Sequence, residues 1–182
     1  NVKEPFYGNI LSNYSSKSNC TLNADDFLGP FIEPEFSFKI KDELDFSRAP
    51  YSFEEVYKSI GSVLPSIEIV DSRFEDWTEV GINNLIADNA VNAYWIYGNE
   101  INDIDAFNFN FHPVTLYIND KIVDKGNSSN VLDNPINSLT WLINTLALQN
   151  KSLPKESSSM FTKLTSSPAS SYILEICFWK DS

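Results

Sequence analysis

Phe31-Ile-Glu-Pro-Glu-Phe-Ser-Phe-Lys-Ile40 alternates residue by residue, with Glu33, Glu35, Ser37 and Lys39 on one side and Pro34, Phe36, Phe38 and Ile40 on the other. A period of two predicts a strand whose apolar side faces a core. Downstream, Ser52 and Glu55 have capping-box spacing. Phe53, Val56, Tyr57 and Ile60 then line one side of a short helix ending near Gly61. Pro65 to Asp71 reads as a second strand, with Glu68 set between Ile67 and Ile69. Asp88 to Ala93 reads as a turn or helix end, and Tyr94 to Tyr97 as a strand stopped by Gly98. Val114 to Val123 reads as a hairpin turning at Asn119-Asp120. Asn134 followed by Pro135 opens the clearest helix, with Ile136, Leu139, Leu142, Ile143 and Leu146 as its buried stripe to about Gln149. Ser157 to Ser171 reads as a polar loop and Tyr172 to Trp179 as a closing strand. Several strands and two clear helices in one composition regime predict a single β-rich α+β domain over residues 1–182.

Among the 182 residues, 42% are hydrophobic and 14% aromatic, ample for one packed core. No apolar run is long enough to span a bilayer as a helix. The net charge of −12 comes with no cluster of Lys or Arg. Such a surface repels phosphate backbones and anionic lipid, so neither nucleic acid nor membrane is an expected partner. Cys20 and Cys177 stand near opposite ends without a CxxC, and both read as free thiols. The four Asn-x-Ser/Thr sequons match what chance gives in a chain this rich in Asn and Ser, so they do not indicate secretion. The cytoplasm is the favoured compartment. The first residue is Asn rather than Met, which leads us to expect residues upstream in the native protein.

Two carboxylates two apart on a strand project from the same face, so Glu33 and Glu35 can reach one ion. Glu68 lies in an otherwise apolar strand, where an unpaired charge costs several kcal/mol, roughly the penalty of a buried ion. A cation would remove that cost. Three hard oxygen donors suit Mg²⁺ or Mn²⁺ better than zinc, which prefers His or Cys. The same residues admit a plainer reading, in which Glu33 and Glu35 solvate an exposed strand and Glu68 pairs with Arg73 or a lysine.

What favours the metal is a resemblance that runs along the chain. Phe31-Ile-Glu-Pro-Glu-Phe-Ser-Phe-Lys-Ile-Lys-Asp-Glu-Leu44 resembles the Glu-x-Glu strand of the 2-keto-4-pentenoate hydratase family. Leu64-Pro-Ser-Ile-Glu-Ile-Val-Asp-Ser-Arg-Phe74 resembles the strand bearing that family's third glutamate. Ala87-Asp-Asn-Ala90, Val131-Leu-Asp-Asn-Pro135 and Glu4-Pro-Phe-Tyr-Gly8 resemble three further signatures. The resemblance implies the fumarylacetoacetase-like fold, a rolled mixed sheet with flanking helices, and a homo-oligomer. It also implies Mg²⁺ or Mn²⁺ on Glu33, Glu35 and Glu68, and a small 2-oxo acid substrate. Asp71 is expected as a catalytic or supporting carboxylate, with an ion pair to Arg73 as its plainer role, and Asp88, Asn89 and Thr162 as substrate-side residues. The activity implied is hydration of 2-hydroxypenta-2,4-dienoate or a similar acid, or decarboxylation of a 4-oxalocrotonate type at the same site.

The pattern breaks in places. Family members begin earlier, with a Gly-Tyr-Lys-Ile-Gly stretch whose lysine lies in the active site, and Lys3 is no substitute. The family's Val-Leu-Gly-His-Pro loop carries Asp133 and Asn134 here, and its Thr-Gly-Ser/Thr turn corresponds to about Thr162-Lys163-Leu164. A glycine allows backbone conformations that Asp resists. A non-catalytic relative that binds without turnover is therefore the third reading. His112 and the four tryptophans read as packing residues.

Overall fold

The computed structural model describes residues 5–155 together with the backbone of 158–161 and 175–179. Its main sheet has seven strands in the order β1-β9-β8-β3-β4-β5-β2. These are β1 (Phe6–Asn9), β2 (Ser15–Lys17), β3 (Phe31–Ile40), β4 (Ile60–Val70), β5 (Asn92–Tyr97), β8 (Ser158–Phe161) and β9 (Glu175–Trp179). β1 runs parallel to β9 and β2 parallel to β5, while the other neighbours are antiparallel. The hairpin β6 (Pro113–Ile118) and β7 (Lys121–Asn127) stands apart as a two-stranded sheet.

The sheet is rolled. In a flat sheet β1 and β5 would lie five strand spacings apart, roughly 24 Å at 4.8 Å each. Instead the Asn89 side chain, just before β5, accepts from the Asn9 amide (3.2 Å) and donates to the Asn9 carbonyl (3.1 Å) at the end of β1. Ile10 also packs with Trp95 of β5 in a small buried cluster.

The expected strand Phe31 to Ile40 has the observed bounds of β3. Its apolar side, Phe36, Phe38 and Ile40, enters the main core with Ile60 and Val63 of β4. Two helices cover that face. The helix α1 (Phe53–Ser59) opens on the expected capping box: the Ser52 amide donates to Glu55 Oε2 (2.9 Å), and the Glu55 amide donates to Ser52 Oγ (3.4 Å). A later helix of 14 residues, Pro135–Leu148, starts where Asn134 Oδ1 accepts from the Ile136 amide. Its stripe of Ile136, Leu139, Leu142, Ile143 and Leu146 is buried as the periodicity predicts.

Some boundaries differ from expectation. β4 starts at Ile60, five residues before the predicted Pro65. Pro65 lies one position beyond the last residue of β4 paired to β5, Ser66 opposite Tyr97, so its missing N–H interrupts no ladder there. The six-residue helix α2 (Ile82–Ala87) was not foreseen; with it, the Pro135–Leu148 helix is α3. The stretch expected as a polar loop from Ser157 contains β8 (Ser158–Phe161), and the expected closing strand is described over Glu175–Trp179 as β9, while residues 172–174 of that expectation lie outside the described residues. The Asn119-Asp120 hairpin is present, with both residues at positive φ as a two-residue hairpin turn requires. No helix among the described residues is long and apolar enough to cross a membrane.

Candidate metal centre

The face of β3 and β4 opposite the core carries the carboxylates. Glu33 pairs across the ladder with Glu68, and Glu35 with Ser66. Directly opposite residues in antiparallel strands share a face, so the register alone brings Glu33 and Glu68 together. Glu35 joins them from one row away. One carboxylate oxygen from each of Glu33, Glu35 and Glu68 can be chosen so that all three lie within 4.8 Å of one another. Glu35 and Glu68 are 4% and 1% exposed, and Glu33 is half-buried.

At such separations, three ionised carboxylates repel by roughly 3–4 kcal/mol per pair at an effective dielectric near 20. A divalent cation among them turns repulsion into attraction. The donor set is all oxygen, the preference of Mg²⁺, Mn²⁺ or Ca²⁺ rather than zinc. The residues therefore fit the implied ion.

Local sequence explains why the strand tolerates Glu-Pro-Glu. β8 pairs with β3 only from Phe36 onward, so Pro34 lies where β3 has no described ladder partner on its β8 side. Deeper along the same face, the Ser37 and Ser66 hydroxyls share a 2.7 Å hydrogen bond in the buried interior. Glu35 is nonetheless only 4% exposed, which removes the part of the plainer reading in which it solvates an exposed strand.

Arg73, the proposed partner of Glu68 or Asp71 on that reading, is engaged elsewhere. Its guanidinium pairs with the Asp88 carboxylate (Nη2 to Oδ2 2.7 Å, Nε to Oδ1 3.0 Å). It also donates to the carbonyls of Asp71 (2.8 Å) and Asn92 (3.1 Å). Asp71 itself is buried, and its carboxylate accepts from the backbone amides of Leu28 (2.9 Å) and Gly29 (2.7 Å), just ahead of β3.

Asp71 and Asn89 line a cleft of about 760 Å³, together with Asn9, Tyr14, Arg73 and Asn92. Asn92 links this cleft to the carboxylates, because its Nδ2 donates to Glu68 Oε1 at 2.6 Å. Sequence reading passed over Asn92, since a polar residue ahead of a strand reads as a flank. Asp88 lies beside the cleft residues as the partner of Arg73, whereas Thr162 falls outside the described residues. His112 packs against Phe36 and Phe107, in the packing role expected of it. Trp95 is a core residue packed on Tyr97, and Cys20 is a free, exposed thiol.

Asp133 and Asn134 replace the glycine and histidine of the resembling loop. Asp133 adopts a φ of +64°, the left-handed conformation that glycine takes most easily. Asn134 caps α3 and also donates from Nδ2 to Asn110 Oδ1 (3.1 Å).

No family model matches the sequence. Individual proteins do. The chain is 26% identical over 164 residues to 4-oxalocrotonate decarboxylase of Pseudomonas sp. (strain CF600), covering 90% of this chain and 61% of that protein. It is 30% identical over 152 residues to 2-oxo-hept-4-ene-1,7-dioate hydratase of Escherichia coli, covering 80% and 56%. The chain thus spans little more than half the length of these curated relatives. In structure it resembles the 4-oxalocrotonate decarboxylase of Pseudomonas putida G7 complexed with magnesium and adipate. That likeness has a TM-score of 0.72 at 20% identity, covering 92% of this chain and 67% of the other, and it shows the shared fold. By sequence and by fold, the chain matches the 4-oxalocrotonate decarboxylase/2-keto-4-pentenoate hydratase family, with its fumarylacetoacetase-like architecture.

Proposed function

We propose that this chain is the metal-binding domain of a lyase that hydrates 2-hydroxypenta-2,4-dienoate or a similar 2-oxo or 2-enol acid. The observation carrying this reading is the convergence of Glu33, Glu35 and Glu68 within 4.8 Å on a largely buried sheet face. The three glutamates would hold Mg²⁺ or Mn²⁺. When bound, the ion supplies Lewis acidity toward the substrate's 2-oxygen and carboxylate.

The chain's own groups build the surroundings. Asp71 ties down the Leu28–Gly29 backbone beside the cleft, a supporting role compatible with its further lone pairs facing substrate. Asn89 lines the cleft and serves as a substrate-side residue. Asp88 holds Arg73, which in turn holds the backbone at Asp71 and Asn92. Thr162 keeps its assignment to the substrate side from the resemblance alone. The acting form is a homo-oligomer on the same ground.

A decarboxylase at the same site is the second reading, favoured by the likeness to the Pseudomonas decarboxylases. The test supplies Mn²⁺ and either 2-hydroxypenta-2,4-dienoate or 4-oxalocrotonate. Loss of the ultraviolet absorbance of the dienol without carbon dioxide release supports the hydratase. Carbon dioxide release from the dicarboxylate supports the decarboxylase. Metal-dependent binding of pyruvate or oxalate without either turnover identifies a non-catalytic relative, and binding of these acids without metal would overturn the ligand assignment.

A further inference from the structure

We propose that Asn92 is a positioning residue for the metal centre, holding Glu68 in the orientation that receives the ion. This inference rests on the assignment of Glu33, Glu35 and Glu68 as ligands. Three independent features converge on Asn92.

The first is the hydrogen bond, in which Nδ2 donates to Glu68 Oε1 at 2.6 Å. A charge-assisted bond to one oxygen fixes both the rotamer and the plane of a carboxylate. Such outer contacts prearrange a ligand that the ion would otherwise have to organise itself.

The second is a register shift in the sheet. Ile69 pairs with Tyr94, but Val70 pairs with Asn92, so β5 carries one extra residue at Ala93. In a regular ladder Ala93 would stand opposite Val70. The bulge replaces it with Asn92, on the same face of β4 as Val70 and Glu68. Bulges re-aim side chains in this way beside functional sites.

The third is the backbone leading into that bulge. Asn89, Ala90 and Val91 have φ values of 55°, 56° and 60°, three consecutive residues in the left-handed region. Each costs on the order of 1–2 kcal/mol for a residue with a Cβ, and a β-branched residue such as Val91 is an outlier there. The surroundings over-determine this turn. The Val91 carbonyl accepts from the Asp71 amide (2.9 Å), Arg73 donates to the Asn92 carbonyl (3.1 Å), and Asn89 is bonded on both sides to Asn9. Strain held by so many contacts marks a position whose geometry matters. What that geometry delivers is the Asn92 carboxamide at Glu68.

The experiment is calorimetric titration of Mn²⁺ into the wild-type protein, Asn92→Leu and Asn92→Asp, with thermal melts of each in Mn²⁺ and in chelator. Leu keeps the size and removes the donor. Asp keeps the shape and turns the donor into a fourth carboxylate. Asn92→Leu is expected to weaken Mn²⁺ binding roughly ten- to a hundredfold. Asn92→Asp is expected to melt lower than wild type in chelator, yet to gain more than wild type from Mn²⁺. A residue that only supports folding lowers the melting temperature in both conditions and leaves the metal increment unchanged, which overturns the proposal. Wild-type affinity in both variants overturns it as well. Absence of Mn²⁺ binding by the wild type would instead remove the ligand assignment beneath it. Should Asn92→Leu not fold, the opposite signs expected for Asn92→Asp still decide.

Discussion

A Cβ added at Gly8 would lie 2.1 Å from Oδ1 of Asn89. The glycine in the Glu4–Gly8 segment is thus the space into which the asparagine of Ala87–Ala90 fits, and the two resembling segments meet at the closure of the rolled sheet. Gly8→Ala must displace the Asn89 side chain and its two bonds to Asn9. The expected cost is about 1–3 kcal/mol, taking each hydrogen bond at about 0.5–1.5. Chemical denaturation measures it. In an Asn89→Gly background, where the obstructing side chain is gone, the same substitution is expected to cost little. Equal costs in both backgrounds would contradict the contact.

Asp71→Asn replaces one of two acceptors with an NH₂ group that faces a backbone amide of Leu28 or Gly29. Losing one charge-assisted bond at a buried site is expected to destabilise by about 1.5–3 kcal/mol. Denaturant melts of the variant against wild type check this. A change below about 0.5 kcal/mol, the ordinary range for surface substitutions, would show that Asp71 does not hold that loop.

Asp133→Gly is expected to stabilise. Asp133 is exposed and its φ of +64° strains a residue with a Cβ. Relief of strain outweighs the added freedom of the unfolded chain by about 0.5–1 kcal/mol, or about 1–4 °C in Tm. A melt unchanged or lowered in the glycine variant would argue that Asp133 supplies an interaction of its own.

The Tyr57 hydroxyl donates to the Asp105 carboxylate, and this bond to the neutral phenol, with burial adding to it, pushes the pKa from 10.0 up to about 12. The folded value lies above the unfolded one. The contribution to stability is therefore complete below pH 10 and is lost as pH rises toward 12. Ultraviolet titration of the folded protein is expected to show a late-ionising tyrosine that disappears in Tyr57→Phe. Coincident titration curves, after allowance for one fewer tyrosine, would contradict it.

Much of this site was legible before the fold was known, for identifiable reasons. Alternation from Phe31 to Ile40 depends only on the pleat, so the bounds of β3 and the shared face of Glu33 and Glu35 followed directly. The heptad-like stripe of α3 was equally local. What escaped was nonlocal. The four-residue β1 and three-residue β2 have no periodicity to read, and β2 is secured by pairing with β5. The left-handed turn at Asn89–Val91 contradicts the preference of Val91 and is imposed by its partners. Asn92 reaches Glu68 only because of the bulge, which no spacing in the sequence announces. On the plainer reading Arg73 pairs with Glu68 or Asp71, whereas the fold delivers it to Asp88, fifteen residues on.

The central claim is that Glu33, Glu35 and Glu68 together bind a divalent cation. Calorimetric titration of Mn²⁺ into wild type, Glu33→Gln and Glu68→Gln tests it most directly. One ion per chain is expected for the wild type, with a rise in Tm from binding to the folded state alone. Each glutamine variant is expected to lose the heat of binding and the Tm increment. An equal response to Mn²⁺ in all three proteins would contradict the account.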